Sequence, residues 1–159
     1  MDQSDSEGIV AIDEVPATGL RSFQDSLLTL HKIIFKELYT RDKNRPSVVM
    51  WSLANEPHSE LKSSEAYFKQ LVDFAKSLDT TRPISGTIDQ SIQQDLIGKY
   101  YDVLMINRYY GWYKDQGYTR PIAKLLVNDI TEWHSKHKKP LILSEYGANT
   151  TPGLHDVSH

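Results

Sequence analysis

Two glutamates in this chain each close an apolar run, and they are where chemistry is to be sought. Val48-Val49-Met50-Trp51-Ser52-Leu53-Ala54 leads into Asn55-Glu56-Pro57, and Pro140-Leu141-Ile142-Leu143-Ser144 leads into Glu145-Tyr146-Gly147. Runs of this kind suit buried strands, and a carboxylate at the end of one is poor surface design and good active-site design. Two of them, 145 − 56 = 89 residues apart, fit a pair in which one group moves a proton and the other attacks carbon. Glycoside hydrolysis uses such a pair. An acid at a strand end can also cap a helix or hold an ion pair, and the two runs alone leave both uses open.

The elements that must position these groups alternate along the chain. Gly8 to Glu14 is a short apolar run ending in acids, and residues 22–40 carry Phe23, Leu27, Leu30, Ile34 and Leu38 at helical spacing. Ser47 to Ala54 is the next strand, Ser63 to Leu78 a helix, and Pro83 to Asp89 a weaker strand interrupted by Gly86. A short helix-like piece at Ile92 to Ile97 precedes the strand Val103 to Asn107. A helix marked by Ile122, Leu125, Ile130 and Trp133 ends in the basic Lys136-His137-Lys138-Lys139 and leads to the strand Leu141 to Ser144. Five strands alternating with helices predict an α/β protein with a parallel sheet. Asp13, Glu14, Asn55, Glu56, Asp89, Asn107 and Glu145 all fall at C-terminal strand ends, and no glycine-rich phosphate loop follows any strand. Polar groups spread over many strand ends favour a TIM barrel over a nucleotide-binding sheet.

Composition narrows the function classes. A chain of 159 residues with 39% apolar and 25% charged side chains is long and apolar enough for one folded core. The net charge of −3 gives no reason to expect nucleic acid or an anionic membrane as partner. There is no cysteine, so thiol nucleophiles and disulfides are excluded. No apolar run approaches the roughly 18 residues of a membrane-spanning helix. His134 and His137 share a helix face beside lysines, which reads as solvated surface rather than a metal site. Residues 1–7 read as a disordered lead, and 8–159 as the folded domain.

Three segments carry a family resemblance. Arg41-Asp42-Lys43-Asn44 with Pro46 to Pro57, Asn107-Arg108-Tyr109-Tyr110-Gly111-Trp112-Tyr113, and Ser144-Glu145-Tyr146-Gly147-Ala148 resemble, in that order, the acid/base, aromatic and nucleophile segments of the β-glucuronidases of glycoside hydrolase family 2. The resemblance implies an incomplete (β/α)8 TIM barrel, strands about three to seven of eight, without the family's Asn-x-Lys segment that grips the glucuronate carboxylate. It implies Glu56 as proton donor, Glu145 as nucleophile, Asn55 on the sugar 2-hydroxyl, Tyr109 against the nucleophile and Tyr113 lining the sugar pocket. Tyr110 and Trp112 are read as packing, and Asp13, Glu14 and Asp89 as holding loops and helix starts. Arg45 stands where the family usually has histidine, and Asn149 where many members have an acid.

A retaining β-glycosidase acting on a glucuronide-bearing glycan or conjugate is the function this implies. No metal or organic cofactor is expected, nor a nucleic acid or membrane partner. The parent enzyme is expected to be a homo-oligomer and, if animal, lysosomal, although the chain itself shows no address. The chain alone is expected to be inactive. Another family 2 glycosidase, such as a β-galactosidase, would share both glutamates, and a truncated non-enzymatic product is the reading from a different class. The triplet Asn149-Thr150-Thr151 is a formal glycosylation signal read as chance.

Overall fold

The computed structural model describes residues 1–113 and 115–148. Among them five strands form one sheet: β1 (Ala11–Glu14), β2 (Val48–Asn55), β3 (Ile84–Ile88), β4 (Leu104–Asn107) and β5 (Leu141–Glu145). Every neighbouring pair is parallel, and the order across the sheet is the order along the chain. That order settles the architecture. A doubly wound sheet reverses its strand order at a switch point, whereas a barrel adds each strand beside the last. The sheet is a curled part of a TIM barrel, five strands of the fold's eight.

Helices α2 (Asp25–Asp42), α3 (Lys62–Leu78) and α4 (Ile122–His137) follow β1, β2 and β4 and cover one face. The aromatic residues of β2 and the helices interlock there: Trp51 meets Phe35 and Tyr39 edge-on at 6.0 and 5.9 Å, and Phe68 meets Tyr67 at 5.3 Å. The indole N–H of Trp51 donates to Asp79 at 2.9 Å, and Arg82 binds that same carboxylate while donating to the Val48 carbonyl. These bonds hold Asp79 well below the usual carboxylate range despite its burial, through donors from Thr81, Trp51 and Arg82. Buried His31 spans the same layer, with Nε2 on the Leu53 carbonyl at 2.8 Å and Nδ1 on the Tyr67 hydroxyl at 2.9 Å.

Gly86 explains the weak third strand. A Cβ there would collide with the phenol of Tyr101, a fully buried side chain. The glycine that lowers strand propensity is what admits a large aromatic under the sheet.

Three details differ from the sequence reading. The first seven residues, read as a disordered lead, include the short helix α1 (Asp2–Glu7), closed by Gly8 in the left-handed region at φ 71°. Arg45 holds this helix through Asp2 and Asp5, and Asp5 accepts from the Ser47 N–H at 3.0 Å. Ile92 to Ile97 forms turns rather than a helix, followed by a single 3-10 turn at Gly98–Tyr100. His137, read as solvated, stacks on Trp133 at 5.5 Å.

Asp13 also departs from its expected loop-holding role. It is buried, one carboxyl oxygen has no partner among the described residues, and the nearby Arg41 guanidinium stays 4.0 Å away. Burial, reinforced by the neighbouring Asp42, pushes its carboxyl up to about 6. A carboxyl raised above its unfolded value binds a proton more readily when folded, so its contribution falls as pH rises towards 6. Asp13→Asn should therefore stabilise the fold at pH 7.5 by about 1–2 kcal/mol. The gain should shrink below pH 5, and thermal melts of both proteins across that range would show it.

Candidate active site

Each strand delivers its polar group at the same end of the sheet. Glu56 follows the last residue of β2 and sits in the left-handed region at φ 49°, unusual for a residue with a side chain. Pro57 follows it, disfavouring the right-handed helical conformation, and the Glu56 N–H donates to the Thr87 carbonyl at 3.0 Å. The strand thus ends in a turn instead of running on. Glu145 ends β5 in register with Asn107 of β4, and its carbonyl accepts the Arg108 N–H at 2.9 Å.

These ends surround a cavity of about 690 Å³. Its lining includes Glu56, Asp89, Asn107, Tyr109, Tyr113 and Glu145, so the two glutamates share one space. The Tyr109 hydroxyl donates to Glu145, and that bond, with burial and the nearby carboxylates, pushes the phenol up to about 12. Tyr113 is exposed and packs edge-on against Tyr109 at 5.2 Å. Of the five residues named from the sequence, the structure brings Glu56, Glu145, Tyr109 and Tyr113 to this lining. Asn55 is beside it rather than in it, its amide oxygen 3.4 Å from Asn107 Nδ2.

Glu56 has the electrostatics of a group that can hold a proton. Burial raises its carboxyl above the usual value, and the negative charges of Asp89 and Glu145 raise it further. A bond from Asn107 Nδ2 to Glu56 Oε1, 2.6 Å long, and the charge of Arg108 oppose this without cancelling it.

Further residues complete the surroundings. Asn107 touches Glu56 and Asn55 while its own amide oxygen accepts from Ser144 Oγ at 2.8 Å. Arg108 is buried, bonded to the carbonyls of Ile88, Asp89, Asn107 and Gln90 and paired with Asp129. Its donors are engaged by these carbonyls and by Asp129, so it builds the wall of the cavity instead of offering a free cation. Asp89, read as holding a loop, lines the cavity, and Tyr110, read as packing, lines it too while donating to Asp129 at 3.2 Å. A polar residue closing an apolar strand marked Asn107 and Asp89 in the sequence. Nothing local marked Ser144 or Arg108.

Comparison with known proteins decides the family. The model for "Glycosyl hydrolases family 2, TIM barrel domain" matches residues 1–158. The chain belongs to glycosyl hydrolase family 2. Its relatives include the Mus musculus β-glucuronidase, 44% identical over 155 residues, and the Sus scrofa enzyme, 43% identical over 159. These alignments cover 96% and 98% of the chain but 24% of each relative, so the chain spans about a quarter of their length. Among solved structures, a β-glucuronidase from an uncultured Clostridium superposes with a TM-score of 0.93 at 45% identity, covering 98% of this chain and 29% of that one. The Dictyoglomus thermophilum β-D-glucuronidase superposes at 0.91 with 38% identity. Within this family 2 barrel segment, the segment from Asn149 onward, with the glycosylation triplet, lies outside the described residues.

The charge environment makes a direct prediction. In a ¹³C NMR titration, the Glu56 carboxyl should have its midpoint above the ordinary glutamate value. Asp89→Asn should lower it, because one of the negative charges opposing ionisation is gone. A midpoint unmoved by Asp89→Asn would show that this charge does not reach Glu56.

Proposed function

We propose that this chain carries the catalytic carboxylates of a retaining β-glycosidase that hydrolyses terminal β-D-glucuronides. The observation that carries the reading is that Glu56 and Glu145 line one cavity, with burial and neighbouring charge raising Glu56. The similarity to β-glucuronidases over nearly the whole chain supports the substrate class.

The roles divide by surroundings. Glu56, inclined to keep its proton, protonates the oxygen of the departing aglycone while Glu145 attacks the anomeric carbon, and a glycosyl-enzyme forms. Glu56, now ionised, takes a proton from water, whose oxygen attacks the same carbon and releases Glu145. Tyr109 keeps Glu145 pointed into the cavity by its hydrogen bond. Asn55 contacts the sugar 2-hydroxyl, and Tyr113 supplies an aromatic wall. In this reading the natural partner is a glucuronide-bearing glycan or conjugate. The parent enzyme is a homo-oligomer, and similarity to mammalian enzymes supports a lysosomal setting for a parent of animal origin. No described helix is long and apolar enough to cross a membrane.

Five strands leave the substrate partly unwalled. Arg108, the cation in the described lining, is committed to backbone carbonyls and Asp129, so no described residue of the lining grips a glucuronate carboxylate by charge. Misplacing a reacting group by about 1 Å costs on the order of a hundredfold. The 159-residue chain alone should therefore give no turnover of a fluorogenic glucuronide above its Glu145→Gln control.

Roles are tested in a chimera where this chain replaces the aligned segment of the Mus musculus enzyme. There Glu145→Ala should abolish turnover of every glucuronide. Glu56→Ala should lose about 10²–10⁴-fold on poor leaving groups, lose far less on very good ones, and be rescued by azide. Equal losses on activated and unactivated substrates would contradict the assignment.

A further inference from the structure

Ser144, the residue before Glu145, does not enter the mechanism above, yet it contacts the residue that reaches Glu56. Its Oγ lies 2.8 Å from Asn107 Oδ1 and 3.1 Å from the Ile106 carbonyl. A hydroxyl has one proton to donate, and the shorter contact is with the amide. On its other side Asn107 Nδ2 is 2.6 Å from Glu56 Oε1 and 3.4 Å from Asn55 Oδ1.

The amide could be placed end for end, and the two placements differ chemically. With its nitrogen toward Glu56, Asn107 donates to Oε1 and accepts from Ser144. Turned over, it would set its oxygen against Asn55 Oδ1 and against Oε1, an arrangement that Glu56 tolerates only by carrying its proton on Oε1 and donating it to Asn107. The Ser144 proton would then have to go to Ile106. Asn55 Oδ1 and an ionised Glu56 thus favour the first placement, and the serine hydroxyl reinforces it through its shorter bond to the amide oxygen.

We propose that Ser144 and Asn107 are a positioning pair that keeps the amide N–H on Glu56 Oε1, so that the acid proton of Glu56 resides on Oε2. The inference rests on the reading of Glu56 as the acid/base. Oε2 receives no bond from a described side chain, so a proton there is not spent on the protein and is available to a leaving group. After the proton has gone, the same N–H supports the carboxylate that must activate water, since bonds donated to a charged oxygen are stronger than those to a neutral one. The pair therefore also links the two glutamates: the serine beside the nucleophile on β5 sets, through β4, the proton position of the acid at the end of β2.

The test is an NMR titration of the 159-residue protein, following the Glu56 carboxyl by ¹³C and the Asn107 side-chain amide by ¹⁵N. In the unaltered protein the Asn107 amide protons should shift with the Glu56 midpoint. An amide that ignores the titration overturns the pair without any variant. In Ser144→Ala the amide is released and the Glu56 midpoint should move upward, because the donated bond favouring the carboxylate is weakened. Ser144→Thr keeps the hydroxyl and should restore the original titration. An unchanged midpoint in Ser144→Ala, with the amide still following Glu56, overturns the proposal. None of these readings depends on turnover, so a chimera that hydrolyses no glucuronide would sink the function while leaving the pair standing. In an active chimera, Ser144→Ala should lose about tenfold in kcat on poor leaving groups with KM little changed.

Discussion

One amide group ties the working ends of three strands together. Asn107 closes β4, lies in register with Glu145 of β5, and donates to Glu56 just past β2. Asn107 pairs with Glu145 on one side and follows Ile106, which pairs with Ile88 on the other, so the amide is presented by the sheet rather than by a loop. A group held on a strand is held more tightly than one on a connecting segment. The site's electrostatics follow from this contact. Burial and two negative neighbours push Glu56 toward the protonated form, and the Asn107 bond limits how far. A carboxyl in that balance can both give a proton and take one back, as the proposed retaining reaction requires.

The scaffold bears a cost for this presentation. Glu56 sits at a positive φ, a conformation that disfavours a residue with a side chain by about 1–2 kcal/mol. The N–H bond to Thr87 and the following proline hold it there. Arg108, whose guanidinium would be expensive to bury unpaired, is satisfied by four carbonyls and Asp129, so its charge organises the β3–β4 wall. Beneath, Trp51, Asp79, Arg82 and His31 fasten β2 to the helices, so that the strand delivering Glu56 is anchored along its length.

The strand and helix pattern was legible because parallel barrel strands are apolar on both faces and end in polar residues. All five strands lie where the apolar runs stand, with the first shortened to Ala11–Glu14. The lead at residues 1–7 was misread because its helix is held by Arg45, forty residues away, and its own sequence is acidic and polar. Ile92 to Ile97 misled because its apolar residues resemble a short helix, whereas the two buried isoleucines are here anchors of a turn. Glu56, Glu145 and Tyr109 stood out because each lies in a distinctive local segment. Ser144 did not, because its contact with Asn107 crosses from one strand to the next, and an ordinary strand end hid the burial of Asp13, one of whose carboxyl oxygens lacks a hydrogen bond among the described residues.

In the proposed reaction Glu145 bonds to the sugar while Glu56 handles the proton. The direct measurement is to incubate the chimera with a 2-deoxy-2-fluoro glucuronide bearing a good leaving group, digest it, and locate the adduct by mass spectrometry. The substituted sugar slows release of the glycosyl-enzyme, so the nucleophile keeps its label. One added glycosyl group is expected, on the peptide containing Glu145. A label on Glu56, or a chimera that turns over glucuronides without ever acquiring a label, would contradict it.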